Sequence, residues 1–356
     1  MRIVPIECVK EGSYLAKTLF DDDGRPLLKE GLKLSKNLLR RLKILKIQYL
    51  YIVDEYSTEE IEDIIKPELR QKAIKLVKES FSSMNIEGSY NCCQDFSSIL
   101  GLAEELLEEI SCKNNILVNL VDIKSLDNYT YQHSVNVAVL SLVLGIKMGF
   151  NKMDLIDLCV GALLHDMGKT FVPKEILNKP AALDRDELAI IQSHPLKGFN
   201  YLKYVPSISL ASRLIVLRHH EKVDGNGYPY GKSSDEIDVF SKIVSIADVY
   251  DALTSSRPYR KALCPNDGVE YILSHVGTDF DCEIVEVFLN TIVPYPVGTL
   301  VKLSTGDIAV VKRNDNEFPL RPFVKIIKSS NPKNVGKEVD LVESLAIVIN
   351  DTVFSV

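Results

Sequence analysis

The stretch LIDLCVGALLHDMGK, residues 155–169, decides the fold. From Leu155 to Leu164 it is apolar or small on nearly every side, with Asp157 as its one charge. A helix with that pattern belongs inside a bundle rather than on a surface. It runs directly into His165 and Asp166. Burying a lone polar group costs about 2–7 kcal/mol, so an imidazole beside a carboxylate must be paired there or bound to a metal. Gly168 is placed to end the helix, which sets the His-Asp pair on its last turn with Lys169 just beyond.

The pattern repeats outward from this segment. The run VNVAVLSLVLGIKMGF (135–150) is too short, and too interrupted by Asn136, Ser141 and Lys147, to span a bilayer, and reads as a second buried helix. His133 stands at its start, in YTYQHS. His194 ends LDRDELAIIQSHP, where Asp184 and Glu187 make a capping-box pattern and Pro195 closes the helix. His219 and His220 end SLASRLIVLRHH. Asp248 lies inside FSKIVSIADVYDALT, with Asp251 three residues later. Helices of a bundle can bring such residues to one point. Any one of these histidines is more often a packed or solvated residue. Five of the chain's six histidines in this setting, with acids beside them, point to a metal site. Imidazole and carboxylate without thiolate suit Mn, Fe, Co, Ni or Zn, whereas Mg and Ca prefer all-oxygen sites.

Apolar residues make up 46% of the 356 and charged residues 26%, the balance of a soluble globular chain. A net charge of −7 argues against a nucleic-acid polymer or an anionic membrane as partner, while a local cation cluster still suits a small anionic ligand. The seven cysteines are odd in number and match no disulfide framework or zinc spacing. With no secretory signal or membrane-inserting segment read in the sequence, the expectation is a cytoplasmic protein.

Residues 1–56 read as a small α+β module. RIVPIE, YLAKTLF and YLYIV are strands, DDDG (21–24) is a turn, and LSKNLLRRLKILKI is a helix capped by Ser35 with Leu38, Leu39, Leu42 and Leu45 on its apolar face. A helical linker follows over 57–115, and its amphipathic segments at 57–83 and 96–110 could pair across a homodimer or pack within the chain. Residues 116–289 are helical almost throughout. Residues 290–356 alternate apolar and polar around Gly and Asp turns, a small β module of four or five strands. The fold class is mainly α, a helical bundle flanked by two small modules.

HDMGK (165–169), HHEKVDGNGYP (219–229), YTYQHS (129–134), ILNKP (176–180) and IADVYDALTSSRPYRKAL (246–263) together resemble the HD-GYP family of HD-type metal-dependent phosphohydrolases, over roughly residues 120–285. Members of that family hydrolyse cyclic di-GMP, so the resemblance implies a phosphodiesterase yielding pGpG, GMP or both. It implies two divalent transition metals, Fe or Mn being favoured. His133, His165, Asp166 and Asp248 would hold the first; His194, His219 and His220 would hold the second, with Asp166 bridging and therefore catalytic. Two metals roughly 3.5–4 Å apart clamp the attacking and leaving oxygens of an in-line displacement. Lys169 would stabilise the charge that develops on phosphate. Arg257 and Arg260 would contact the phosphates, with Asp251 beside them. The loop Asp224–Pro229 would line the substrate mouth with Tyr228, or contact a GGDEF synthase domain, and Gly225 and Gly227 would supply dihedrals closed to other residues.

Three departures bear on this reading. Tyr129 stands where three-metal members carry a glutamate, which favours two metals. Ala181-Ala182 replaces a frequent Gly-Lys, and GTDFDCEIV (277–285) departs from the usual GTQFDP. Two alternatives keep the site: hydrolysis of another cyclic dinucleotide such as cyclic GMP-AMP, and a non-catalytic nucleotide receptor. The complete ligand set argues against the receptor.

Overall fold

A computed structural model describes residues 1–20, 25–45, 47, 49–56, 63–83, 96–113, 129–177, 179, 181–255, 263–315 and 317–354. The DDDG turn, Arg257 and Arg260 lie outside the described residues, as do parts of the linker and of ILNKP.

The first elements are β1 (Arg2–Pro5), β2 (Tyr14–Leu15), β3 (Leu19–Phe20), β4 (Pro26–Leu28), α1 (Lys36–Ile44) and β5 (Tyr49–Val53). β5 is the middle of an antiparallel sheet between β1 and β2, with Val4 opposite Leu50, and β3 and β4 form a separate hairpin. The Ser35 side chain accepts a hydrogen bond from Leu38 N and caps α1, which buries Leu39 and Leu42. Leu45, expected on the same face, is exposed because the helix ends at Ile44 and the chain turns away there.

Next come α2 (Pro67–Ser82) and α3 (Ser97–Ser111). Their apolar faces do not stay open for a partner. Ile74, Val77 and Phe81 of α2, and Ile99, Leu102, Leu106 and Ile110 of α3, join one continuous core with the bundle that follows. That bundle comprises α4 (Tyr129–Lys147), α5 (Lys152–Leu164), α6 (Lys174–Leu177), α7 (Arg185–Gln192), α8 (His194–Leu202), α9 (Leu210–Arg218), α10 (Val239–Thr254), α11 (Pro265–Ser274) and α12 (Cys282–Leu289). Side chains of Asn151, Ser209, Asp238 and Asp281 cap α5, α9, α10 and α12 by accepting backbone N–H groups. Among the described residues no helix is long and apolar enough to cross a membrane.

Two local expectations are corrected. Gly168 does not end α5. The helix stops at Leu164 with His165 as its cap, and Gly168 lies inside a 3-10 turn, Met167–Phe171. A Cβ on Gly168 would sit 1.9 Å from His194 O, so glycine is there to let this turn press against the start of α8. Pro195 does not close a helix either. The capping box of Asp184 and Glu187 forms as expected, but α7 ends at Gln192, and Pro195 sits in the first turn of α8, where its missing N–H costs nothing.

The chain ends in a five-stranded antiparallel sheet of β6 (Leu300–Leu303), β7 (Ile308–Arg313), β8 (Phe323–Lys328), β9 (Glu338–Asp340) and β10 (Ile349–Val353), in the order β10-β6-β7-β8-β9. It has its own core, with Val301, Leu303, Ala309, Val311, Val324 and Ile326 facing inward.

Candidate metal centre

The bundle brings seven side chains together, six at or near helix ends and Asp248 from inside α10. His133 comes from the first turns of α4. His165 caps α5 and Asp166 opens the 3-10 turn. His194 starts α8, His219 and His220 follow α9, and Asp248 comes from α10. All are buried except His220, which is half-buried. Asp166 is central. Its Oδ1 lies 3.3 Å from His194 Nε2 and 4.0 Å from His219 Nε2. Its Oδ2 lies 3.5 Å from His165 Nε2 and 3.9 Å from His133 Nε2. Asp248 Oδ1 stands 3.0 Å from His133 Nε2 and 4.0 Å from His165 Nε2, and its Oδ2 is 3.8 Å from His220 Nδ1.

Four of the rings are aimed by what holds their far nitrogen. His165 Nδ1 lies 2.7 Å from Ala162 O, His194 Nδ1 2.8 Å from Ile191 O, and His219 Nδ1 3.1 Å from Val216 O. His133 Nδ1 lies 2.7 Å from Asp251 Oδ2. A carbonyl or carboxylate there keeps the proton on Nδ1 and turns the Nε2 lone pair inward, which is how metal-binding imidazoles are oriented.

The electrostatics favour ionised carboxylates at Asp166 and Asp248 and neutral rings at His219 and His220, with His133 the exception. Burial would raise the Asp166 pKa, but Lys169, whose Nζ lies 2.6 Å from Oδ2, and the nearby histidines hold it well below the usual carboxylate range. Burial likewise opposes ionisation of Asp248, and His133, His165 and His220 outweigh it and bring it well below that range. Burial pushes His219 far down, with the other histidines adding. Burial also lowers His220 to about 3, with His194 and Lys169 adding and Asp248 opposing. His133 moves the other way: burial lowers it, but hydrogen bonds from Asp248 and Asp251 raise it overall. Ionised carboxylates and neutral imidazoles are the forms that bind cations.

The residues fit a divalent metal. Asp166, His194, His219 and His220 present donor atoms within 4.8 Å of one another, as do His133, His165 and Asp166, and also His165, His219 and Asp248. His165 Nε2 and Asp166 Oδ1 are buried and find no hydrogen-bond partner among the described residues. A buried lone pair with no donor is costly unless a cation takes it.

The glycine loop forms the rim. The Tyr228 ring stacks on His220, with centroids 4.7 Å apart and planes at 27°, and its backbone N–H donates to His220 O. Burial raises the Tyr228 pKa, with Asp248 and Asp166 adding, so the phenol stays protonated. Gly225 adopts φ +82°, as expected for a glycine turn. Gly227 is needed for space instead: a Cβ there would lie 2.3 Å from Lys222 N. Asp251 was expected beside the phosphates. It is fully buried, with Oδ2 on the His133 ring and Oδ1 accepting from Asn136 Nδ2 at 2.9 Å, so both of its oxygens are engaged within the bundle. His275 stands apart and stacks on Tyr271.

Three contributors were not singled out from sequence. Asn136 read only as an interruption of an apolar run, although it lies three residues after His133 and so on the same helix face. Arg70 carried no signal. Glu221 is buried and anchors the loop, its Oε1 accepting from Tyr230 N at 2.8 Å and its Oε2 from Lys232 N at 2.9 Å.

Residues 114–284 match the family model described as HD domain, and residues 300–355 match that of a KOW domain associated with HD domain. The chain is 35% identical over 235 residues to a cyclic di-GMP phosphodiesterase of Pseudomonas aeruginosa, covering 65% of this chain and 56% of that protein. It is 36% identical over 185 residues to a 3'3'-cGAMP-specific phosphodiesterase of Vibrio cholerae, covering 52% of this chain and 42% of that one. The chain thus spans about half the length of these curated relatives. A solved structure titled as an HDG"Y"P protein from Bdellovibrio bacteriovorus is 19% identical, covering 80% of this chain and 97% of that one at a TM-score of 0.47. With the HDMGK and HHEKVDGNGYP motifs inside the matched region, the chain carries an HD domain over residues 114–284 and resembles the HD-GYP family.

Proposed function

We propose that this chain is a metal-dependent phosphodiesterase that hydrolyses cyclic di-GMP to pGpG, GMP or both. The observation that carries the proposal is the convergence of His133, His165, Asp166, His194, His219, His220 and Asp248 on one buried point, with imidazole Nε2 atoms turned inward by fixed Nδ1 partners. In this reading His133, His165, Asp166 and Asp248 hold one divalent metal, Fe or Mn, and His194, His219 and His220 hold a second, with Asp166 shared. The metals, when bound, supply Lewis acidity and a water of lowered pKa. The two Asp166 oxygens support the sharing, because they face different histidines.

The remaining roles belong to the chain itself. Lys169 places an ammonium beside Asp166, where it meets the charge that grows on phosphate as one ester bond breaks. Tyr228, stacked on His220, walls the mouth and offers an aromatic face. Arg257 and Arg260 are assigned to the phosphates on sequence grounds. The 224–229 loop is also the candidate contact for a GGDEF synthase domain. A homodimer would use surfaces other than the apolar faces of α2 and α3, which lie in the chain's own core. A cytoplasmic setting agrees with the exposed free thiols of Cys112 and Cys282, a state that a reducing compartment preserves.

A second substrate, 3'3'-cGAMP, has support from the Vibrio cholerae relative, whose identity to this chain is similar. The test gives both dinucleotides in parallel to protein reconstituted anaerobically with Fe(II) or Mn(II), with product chromatography and metal analysis on the same sample. Faster turnover of cyclic di-GMP with about two metals per chain, the count expected of a two-metal site, is the expected result. Preference for 3'3'-cGAMP would move the substrate assignment. Metal-loaded protein that binds both and cleaves neither would make the domain a receptor.

A further inference from the structure

We infer that Arg70, on α2 and outside the matched HD domain, is a positioning residue for the metal centre, acting on His133 through Asn136 and Asp251. The inference rests on His133 being a metal ligand. Arg70 Nη1 donates to Asn136 Oδ1 at 2.6 Å. Asn136 Nδ2 donates to Asp251 Oδ1 at 2.9 Å, and Asp251 Oδ2 lies 2.7 Å from His133 Nδ1. Asn136 and Asp251 are fully buried and His133 nearly so, so water does not compete along this path.

The polarity of each link fixes the next. A guanidinium has donors only, so the side of the Asn136 amide that faces it must be the oxygen. The amide nitrogen then faces Asp251, an acceptor only. Asp251 in turn takes the proton on His133 Nδ1, which aims Nε2 at Asp248 and Asp166. Asp251 also selects the amide nitrogen, so Arg70 does not choose the sense of the amide but pins it from the other side. Without Arg70 the buried Asn136 Oδ1 loses this donor, and the hold of the amide on Asp251, and of Asp251 on the His133 ring, loosens. Arg70 thus makes the orientation of a bundle ligand depend on a linker helix. It also lines a cavity of about 340 Å³ with Lys17 and Tyr51 of the N-terminal module, so the outer end of the relay lies within reach of that module.

The test uses the full chain with Arg70→Met, which keeps the stem and removes the donors, Arg70→Lys as the rescue, and Lys72→Ala on the same helix as control. Lys72 pairs only with exposed Glu105 among the described contacts, at 2.6 Å. Nitrogen-15 spectra of ring-labelled histidine, recorded without metal, read the setting of the His133 ring. Calorimetric titration with Mn(II) reads affinity. In Arg70→Met the His133 ring signals should shift and Mn(II) affinity should fall about tenfold, the lower end of the effect of losing an outer-layer partner. kcat should fall with KM little changed, Arg70→Lys should restore most of each, and Lys72→Ala should match the parent. An unaltered His133 spectrum in folded Arg70→Met would overturn the inference. Should that variant fail to fold, Arg70→Gln, which can offer Asn136 either a donor or an acceptor, decides by the same spectrum. If the parent chain bound no Mn(II), the metal reading would fail, while the His133 ring signals would still report on the relay.

Discussion

Lys169 Nζ stands 2.6 Å from Asp166 Oδ2, the oxygen that faces His165 and His133, and leaves Oδ1 to His194 and His219. One carboxylate therefore meets two sets of imidazoles and a cation. The Lys169 side chain is about a quarter exposed at 26%, so its ammonium can leave Asp166 for an incoming phosphate. Lys169→Ala should keep the metal content and lose turnover by about 10²–10³-fold, the cost of removing one preorganised charge partner. Metal analysis and steady-state rates on the same preparation check it. Loss of metal along with rate would make Lys169 a support for Asp166 instead.

Asp166→Ala should be far worse. Among the described residues Asp166 is the carboxylate that faces both His194 and His133, so its loss leaves the His194 group without its anion and the His133 group with Asp248 alone. Turnover should be undetectable and metal content should fall below one ion per chain. A variant that kept full metal content would show that Asp248 and the histidines hold the ions without a shared carboxylate.

The sequence made the candidate donor set legible because most of its members break an apolar helix at or near its end, and Asp248 breaks one inside it, where a polar residue needs a reason. His165-Asp166 after LIDLCVGALL is the clearest case. The exact helix ends were less legible. Gly168 and Pro195 each fit a termination rule, yet both serve the contact between the 3-10 turn and α8, which depends on packing at long range. Asp251 is a related case. Spacing set it on a face adjacent to that of Asp248 and the resemblance set it beside the phosphates, but only the approach of α4 decides that its carboxylate meets His133. Arg70 could not be found at all, since its partner Asn136 lies 66 residues away.

Stability of the metal-free protein should depend on pH through the buried histidines. His220 is lowered from 6.5 to about 3 and His219 is lowered well below 6.5, whereas both take a proton near 6.5 once unfolded. Between about pH 6.5 and 3 the unfolded chain therefore binds more protons, and stability falls as pH falls. His133 is raised, so its contribution is fully present below 6.5 and does not decline in this window. Chelator-treated protein should melt at progressively lower temperature from pH 7 to pH 4, followed by circular dichroism. His220→Gln should show a shallower slope, and an equal slope would exclude His220 as a source.

Gly168→Ala tests the packing under the site. The added Cβ would meet His194 O at 1.9 Å and Gly198 N at 2.8 Å, both backbone atoms that no rotamer change can move. The 3-10 turn must lift off α8, taking Asp166 away from His194. A loss of about 1–3 kcal/mol in stability is expected from overpacking of this kind, together with weaker metal binding. Gly277→Ala is the useful contrast: its φ of +78° is strained for alanine, but nothing lies within 4 Å, so it should lose some stability and keep the metals. Melting curves and metal titration of the two variants separate the effects.

Glu221 gives the loop its shape, and its removal should separate the mouth from the metals. The carboxylate accepts Tyr230 N–H and Lys232 N–H, two backbone donors of the loop that follows Tyr228. Glu221→Gln keeps the volume, but a glutamine has one acceptor oxygen, so its NH₂ must face one of those donors. Loss of a hydrogen bond to a charged group costs about 1.5–3 kcal/mol, enough to free a short loop without unfolding a bundle whose core lies elsewhere. His219 is held by α9 through Ile215 O and Val216 O, neither of which depends on Glu221, so the donor set should survive. The expected result is unchanged metal content, a raised KM for cyclic di-GMP and a smaller fall in kcat. If Glu221→Gln instead stripped metal while the fold persisted, the loop would be part of the support for the histidines, and the division drawn between rim and ligands would have to be redrawn around His220, the one ligand that Tyr228 covers.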